Sequence, residues 1–190
     1  MNQHRISLAG ILAVALMAFA GTASATTLTS PAGTAYTGTI KLAAENGHIK
    51  ILWPLNLNIQ CASTIEGAVE SHGGGNPAVV DISSLTFSGC TNGYGLAVLA
   101  DGVLEIHGNH VVTSSGTKLT LTTPLGFNCI YETTATEIAG LTDSSQTAGN
   151  ATLDIYAKAL PRTGHSAFCG ASAEVNGNYR MSTPAYLEVD

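Results

Sequence analysis

The residues best placed for chemistry lie in "VLEIHGNHVV", Val103 to Val112, where Glu105, His107 and His110 fall within six positions. If Leu104 and Ile106 alternate inward on a strand, Glu105 and His107 face outward. Gly108-Asn109 then reads as a two-residue type II′ turn, with glycine first. On that reading His107 and His110 oppose each other across the ladder, their Cβ atoms about 5 Å apart, with Glu105 one step along. Two imidazoles and a carboxylate so arranged match the donor set of a surface Zn²⁺ or Cu²⁺ site. A hairpin tip supplies no second shell, however, and an exposed polar pair is the commoner result. No metal, cofactor or catalytic residue is therefore assigned.

The other chemical candidates are weaker. His48, His72 and His165 sit in or beside glycine-containing stretches, without a Ser or Cys at catalytic spacing. "HGGGNP", His72 to Pro77, has the look of an oxyanion loop, but the alternating helices and the G-x-S-x-G elbow of such a hydrolase are missing. "LPRTG", Leu160 to Gly164, matches a sortase signal without the apolar span and basic tail that should follow. Asp81 and Asp154 occupy matched places in two similar segments and form a possible carboxylate pair for glycoside hydrolysis. Matched positions of that kind more often serve strand ends. Trp53 lies in an apolar run, and Tyr94, Tyr131, Tyr156, Tyr179 and Tyr186 are dispersed, which makes no sugar-stacking ladder.

The elements that must carry these residues follow from the ends and the alternation. Residues 1–25 join a basic start at Arg5, an apolar run and Ala23-Ser24-Ala25, the pattern of a secretory signal peptide cut before Thr26. That segment is expected to be helical, and the remaining 165 residues are expected to form one exported domain without a transmembrane anchor. Losing Arg5 leaves six basic residues against thirteen acidic ones, a net charge of −7. So acidic a chain has no basic patch for phosphate backbones, which excludes nucleic acid as a partner.

Beyond residue 26 the apolar period is two. "TGTIKLAAE" places Ile40 and Leu42 on one face, and "TKLTLTT" does the same with Leu119 and Leu121. "ATLDIYAKAL" places Leu153, Ile155, Ala157 and Ala159 together. Such segments are divided by turn clusters such as "CTNGYG" and "SSQTAGN". About ten to thirteen short strands are expected, forming an all-β antiparallel sandwich or barrel.

All four cysteines, Cys61, Cys90, Cys129 and Cys169, fall in this part. An even count in an exported chain reads as two disulfides, with three pairings open. An internal echo chooses among them. "PLNLNIQC" (54–61) resembles "PLGFNC" (124–129), and "GNPAVVDI" (75–82) resembles "GNATLDI" (149–155). Each copy then ends at a cysteine. Two related β-units, about 54–90 and 124–169, would each close their own bridge, Cys61–Cys90 and Cys129–Cys169.

"TTLTSPAGTAYTGTI", "IQCASTIEGAVES" and "SSLTFSGC" together resemble a loose group of small bacterial secreted β-proteins that includes the PraB-like activators of alkane oxidation. The resemblance implies an exported accessory protein that helps cells meet hydrophobic substrates or surfaces. It transfers no catalytic residue. The expectation is a non-enzymatic exported or cell-surface protein, acting by binding, by self-association or as a matrix component. A fimbrial subunit assembled by strand addition is the alternative, and a secreted hydrolase or metal-binding protein a third.

Overall fold

The structure is a computed structural model that describes residues 26–30, 32–44, 49–53, 57–71, 77–142, 150–163, 169–184 and 186–189. Residues 1–25, read above as a signal peptide, and His48, His72 and His165 lie outside them. Fourteen strands and one short 3-10 turn, Thr91–Gly93, are present among the described residues. They are β1 (Leu28–Thr29), β2 (Thr39–Ala44), β3 (Ile49–Trp53), β4 (Leu57–Ser71), β5 (Ala78–Ser88), β6 (Gly95–Ala100) and β7 (Val103–Ile106). Then follow β8 (Val111–Ser115), β9 (Lys118–Thr122), β10 (Asn128–Glu132), β11 (Thr136–Thr142), β12 (Thr152–Pro161), β13 (Ser172–Thr183) and β14 (Glu188–Val189).

Eight of these close a ring. β2, β4, β5, β7, β8, β11, β12 and β13 each pair antiparallel with the next, and β13 pairs with both β12 and β2. β3 continues the line of β2, because it lies between the same neighbours, β4 and β13. In the same way β6 leads into β7, β8 into β9 and β10 into β11, with only a few residues between. β6, β9 and β10 form a separate three-stranded sheet. At one end the molecule is thus a closed barrel. At the other it divides into two facing sheets, β12–β13–β3–β4–β5 against β6–β9–β10. The all-β antiparallel architecture expected from the alternation is present. The strand number exceeds the expected range because through-going strands break where the barrel divides.

The breaks line up across the chain. Between β6 and β7 stand Asp101 and Gly102, between β8 and β9 Gly116 and Thr117, and between β10 and β11 Thr133 to Ala135. β5 carries a bulge at the same level, where Glu66 pairs with Ser84 but Gly67 with Ile82. Gly102 shows why glycine is required there: its φ is +72°, and a Cβ would lie 2.3 Å from the Thr117 nitrogen. Bulges of this kind bend a strand and strengthen its twist.

One contiguous core fills the interior. Ile40, Leu42, Leu119, Leu121 and Leu153 are buried, as their alternation requires. β12 departs from its expected phase. Its register shifts between Ala157 and Leu160, so Leu160, an even position, is buried where the unbroken alternation would have put Ala159. Outward positions of the barrel carry Lys41, Glu66, Asp81, Glu105, Asp154 and Arg180. That arrangement, apolar inside and charged outside, is the reverse of a lipid-facing barrel. No helix among the described residues is long and apolar enough to cross a membrane.

Both proposed bridges are present, Cys61–Cys90 and Cys129–Cys169, closing sequence separations of 29 and 40. In the chain-entropy model each restricts the unfolded chain by about 3.5–4 kcal/mol. They are compatible with an oxidising compartment. The two copies of the echo lead into β4 and β10/β11, and into β5 and β12. Each second copy stands four places around the ring of eight from the first.

Candidate binding cavity

The "HGNH" turn differs from its expected form. His107 N–H donates to Val111 O at 2.9 Å, and His110 N–H to His107 O at 2.8 Å. His110 itself has φ +66°. This is a three-residue loop of Gly108, Asn109 and His110, a turn followed by a left-handed residue, and not the two-residue type II′ turn. The cause is Asn109, whose Oδ1 accepts from Val111 N–H at 3.2 Å and adds a residue to the connection. His110 therefore does not oppose His107, and its carbonyl accepts from Leu141 N–H at 2.8 Å. Gly108 lies against Thr26, so the tip is packed on the chain's own N-terminal part. Glu105 and His107 do share an outer face, joined through Thr113. Its hydroxyl donates to Glu105 Oε2 (3.3 Å) and meets His107 Nε2 at 3.2 Å. The three residues are not brought together as a ligand set, and no cluster of three metal-ligating side chains occurs among the described residues.

Asp81 and Asp154 are exposed at the starts of β5 and β12, four strands apart in the ring. They point away from each other and form no carboxylate pair. Asp154 instead accepts from the Asn178 side chain. The described part of "LPRTG", Leu160 to Thr163, is built into the fold. Leu160 is buried, Arg162 Nη1 donates to Cys169 O at 2.6 Å, and Arg162 bridges to Tyr131. Tyr131 and Tyr179 are core residues, and Tyr156 is exposed with its hydroxyl on Glu137 at 2.7 Å. That hydrogen bond, more than burial, holds the Tyr156 phenol above its ordinary range.

The concave site lies inside. Where the barrel divides, a cavity of about 70 Å³ opens between the sheets. Its walls are Ile65, Ile82, Leu85, Phe87, Leu104, Leu119, Ile138, Ile155, Leu160 and Val175, together with the buried hydroxyl-bearing residues Ser114, Thr117, Thr133 and Tyr179. Smaller spaces of about 20 and 10 Å³ continue it into the barrel and between the sheets. Leu85, Phe87 and Ile155 are only half-buried, so the walls thin where β5 and β12 border the small sheet.

Each of these hydroxyls is already bonded. Thr117 Oγ1 donates to Asp101 O at 2.7 Å, and Ser114 Oγ lies 3.1 Å from Thr117 Oγ1 and 3.0 Å from Thr133 Oγ1. Thr133 Oγ1 in turn accepts from Thr117 N–H at 3.0 Å. Protons can therefore run in one direction, Thr133 to Ser114 to Thr117 to the Asp101 carbonyl, so that each bond in the chain has a donor. This network ties β8, β9 and the ends of β10 and β6 at the level where each strand breaks.

Tyr179, on the opposite wall, donates to Ser63 Oγ at 2.7 Å. Burial pushes its phenol up to about 12, although the Ser63 hydrogen bond works against that shift. With its hydroxyls hydrogen-bonded within the protein, the cavity presents apolar surface, the setting in which an internal space stays dry. Sequence reasoning passed over Ser63, Ser114, Thr117 and Thr133, and met Tyr179 only as one of several dispersed tyrosines. The available signal was phase: Ser63, Ser114 and Thr133 are hydroxyls at core-facing steps of otherwise apolar alternations.

The chain matches no family model, no curated protein and no solved structure.

Proposed function

We propose that this chain is an exported, non-enzymatic β-domain that acts by binding, and that the inter-sheet cavity receives a small or slender apolar group. The observation that carries this reading is the cavity's chemistry: an apolar lining whose hydroxyls are already hydrogen-bonded within the protein. Such a site recognises its occupant by shape and apolar contact, the usual basis of small-ligand pockets. Its size narrows the class. At about 70 Å³ it is roughly half the ~150 Å³ of an engineered cavity that takes benzene. A narrow alkyl group or a xenon atom fits better than a ring.

Export rests on the leader-like residues 1–25 and on two disulfides compatible with an oxidising compartment. The resemblance to exported accessory proteins that meet hydrophobic substrates points the same way. The test is thermal unfolding of the oxidised protein in solutions of short n-alkanes. Binding to the folded state raises the midpoint with ligand concentration. Leu104→Phe, which fills the cavity, should abolish the rise. An unchanged midpoint in the parent protein, or an equal rise in the filled variant, would refute the reading.

A further inference from the structure

β6 is an edge. Among the described residues its one ladder partner is β9, and β5 passes in the other sheet without pairing to it. Across Gly95–Ala100 the sequence is GLAVLA, with no charge in a chain of net charge −6. Natural edges are usually blunted by lysine, proline, a bulge or a covering element; among the described residues β6 has no lysine, no proline and no second ladder, and its one irregularity is the register shift against β9 between Val98 and Ala100. Leu99 is 53% exposed on it. Leu96 and Val98, on the inner side, are only half-buried.

We propose that β6 pairs antiparallel with β6 of a second copy, about a twofold axis at Ala97. Three features fit that occupant and that register. Leu96 falls opposite Val98 of the other copy, which continues the row of inner apolar side chains across the junction. The exposed Leu99 falls opposite Gly95, where an added Cβ would meet nothing nearer than Thr122 at 3.6 Å. Asp101, the nearest charge, falls opposite Gly93 and not opposite itself, so the two carboxylates stand at opposite ends of the ribbon. A parallel pairing would set them side by side. The product is a closed dimer with a continuous six-stranded sheet, β10–β9–β6–β6–β9–β10, and not a filament, because the same patch is used on both copies. This stands independently of the cavity.

The register gives a sharp test. Directly opposed residues of an antiparallel pair have Cα atoms about 4.5–5.5 Å apart, within the range a disulfide spans. Ala97→Cys should therefore cross-link two oxidised copies through residue 97, identified by peptide mapping, while Leu125→Cys, 82% exposed on the β9–β10 turn, should not. Sedimentation equilibrium of the parent protein should show a concentration-dependent dimer, weakened at least tenfold by Leu99→Lys and unaffected by Leu125→Lys. Circular dichroism confirms that the variants fold. A parent that stays monomeric at the highest soluble concentration overturns the proposal. So does a cross-link at Leu125→Cys as efficient as at Ala97→Cys, or a Leu99→Lys variant that dimerises like the parent.

Discussion

Tyr179 gives the interior a titratable reporter. Its phenol is 1% exposed and donates to Ser63, which ties β13 to β4 across the cavity. Folded, it ionises near pH 12, against about 10 in the unfolded chain. A raised folded pKa means that the stabilisation is complete below pH 10, where both states are neutral. Between pH 10 and 12 the unfolded state loses this proton and the folded state keeps it, so stability falls as pH rises. Two pH units at 1.36 kcal/mol each amount to roughly 3 kcal/mol. Tyr179→Phe removes the group and with it that slope. At neutral pH it costs about 0.5–1.5 kcal/mol for the lost hydrogen bond. Urea unfolding at a series of pH values from 8 to 12, followed by circular dichroism, reads both quantities. No free cysteine is present to reshuffle the bridges in alkali. Should the Phe variant lose as much stability as the parent between pH 10 and 12, burial of Tyr179 is not the source of the alkaline instability and the reasoning fails.

Three further perturbations test the level where the barrel divides and the bridges that flank it. Ser114→Ala interrupts the hydroxyl chain between Thr133 and Thr117 and should destabilise by about 1–3 kcal/mol in urea, because buried groups lose their partner. Gly102→Ala places a methyl into the Thr117 and Ser115 backbone at a φ of +72°, and a loss of at least about 2 kcal/mol is expected, read as a lower thermal midpoint. Replacing Cys61 and Cys90 together by alanine should cost about 3.5 kcal/mol in the same measurement and leave the Cys129–Cys169 bridge intact by mass spectrometry.

Much of the fold is legible in the chain because a period of two is a local signal. Ile40 and Leu42 against Thr39 and Lys41 suffice to orient β2, and the echo around the cysteines suffices to choose the bridges. What local pattern cannot convey is where strands break. The alternation through "ATLDIYAKAL" runs unbroken in the sequence, yet β12 slips register before Leu160 because the strand leaves the barrel to join the larger sheet. The same limit explains the "HGNH" turn. A glycine in first place argues for one loop geometry, and the Asn109 side chain, by bonding to Val111 N–H, selects another. The cavity is a still less local feature. It exists only because two sheets part at the bends near Gly102, Gly116 and Ala135, and its polar residues come from strands distant in sequence. Ser63 and Tyr179 are 116 positions apart. The candidate that stood out by spacing, Glu105 with His107 and His110, was proximate in sequence but divided by the turn.

The most direct test of the binding account is the methyl NMR spectrum of the oxidised protein under xenon. The account predicts saturable shifts concentrated on Ile65, Leu85, Leu104, Ile138 and Val175, which line the cavity. Shifts that rise without saturation and fall on exposed methyls such as Leu99 and Leu125 would contradict it.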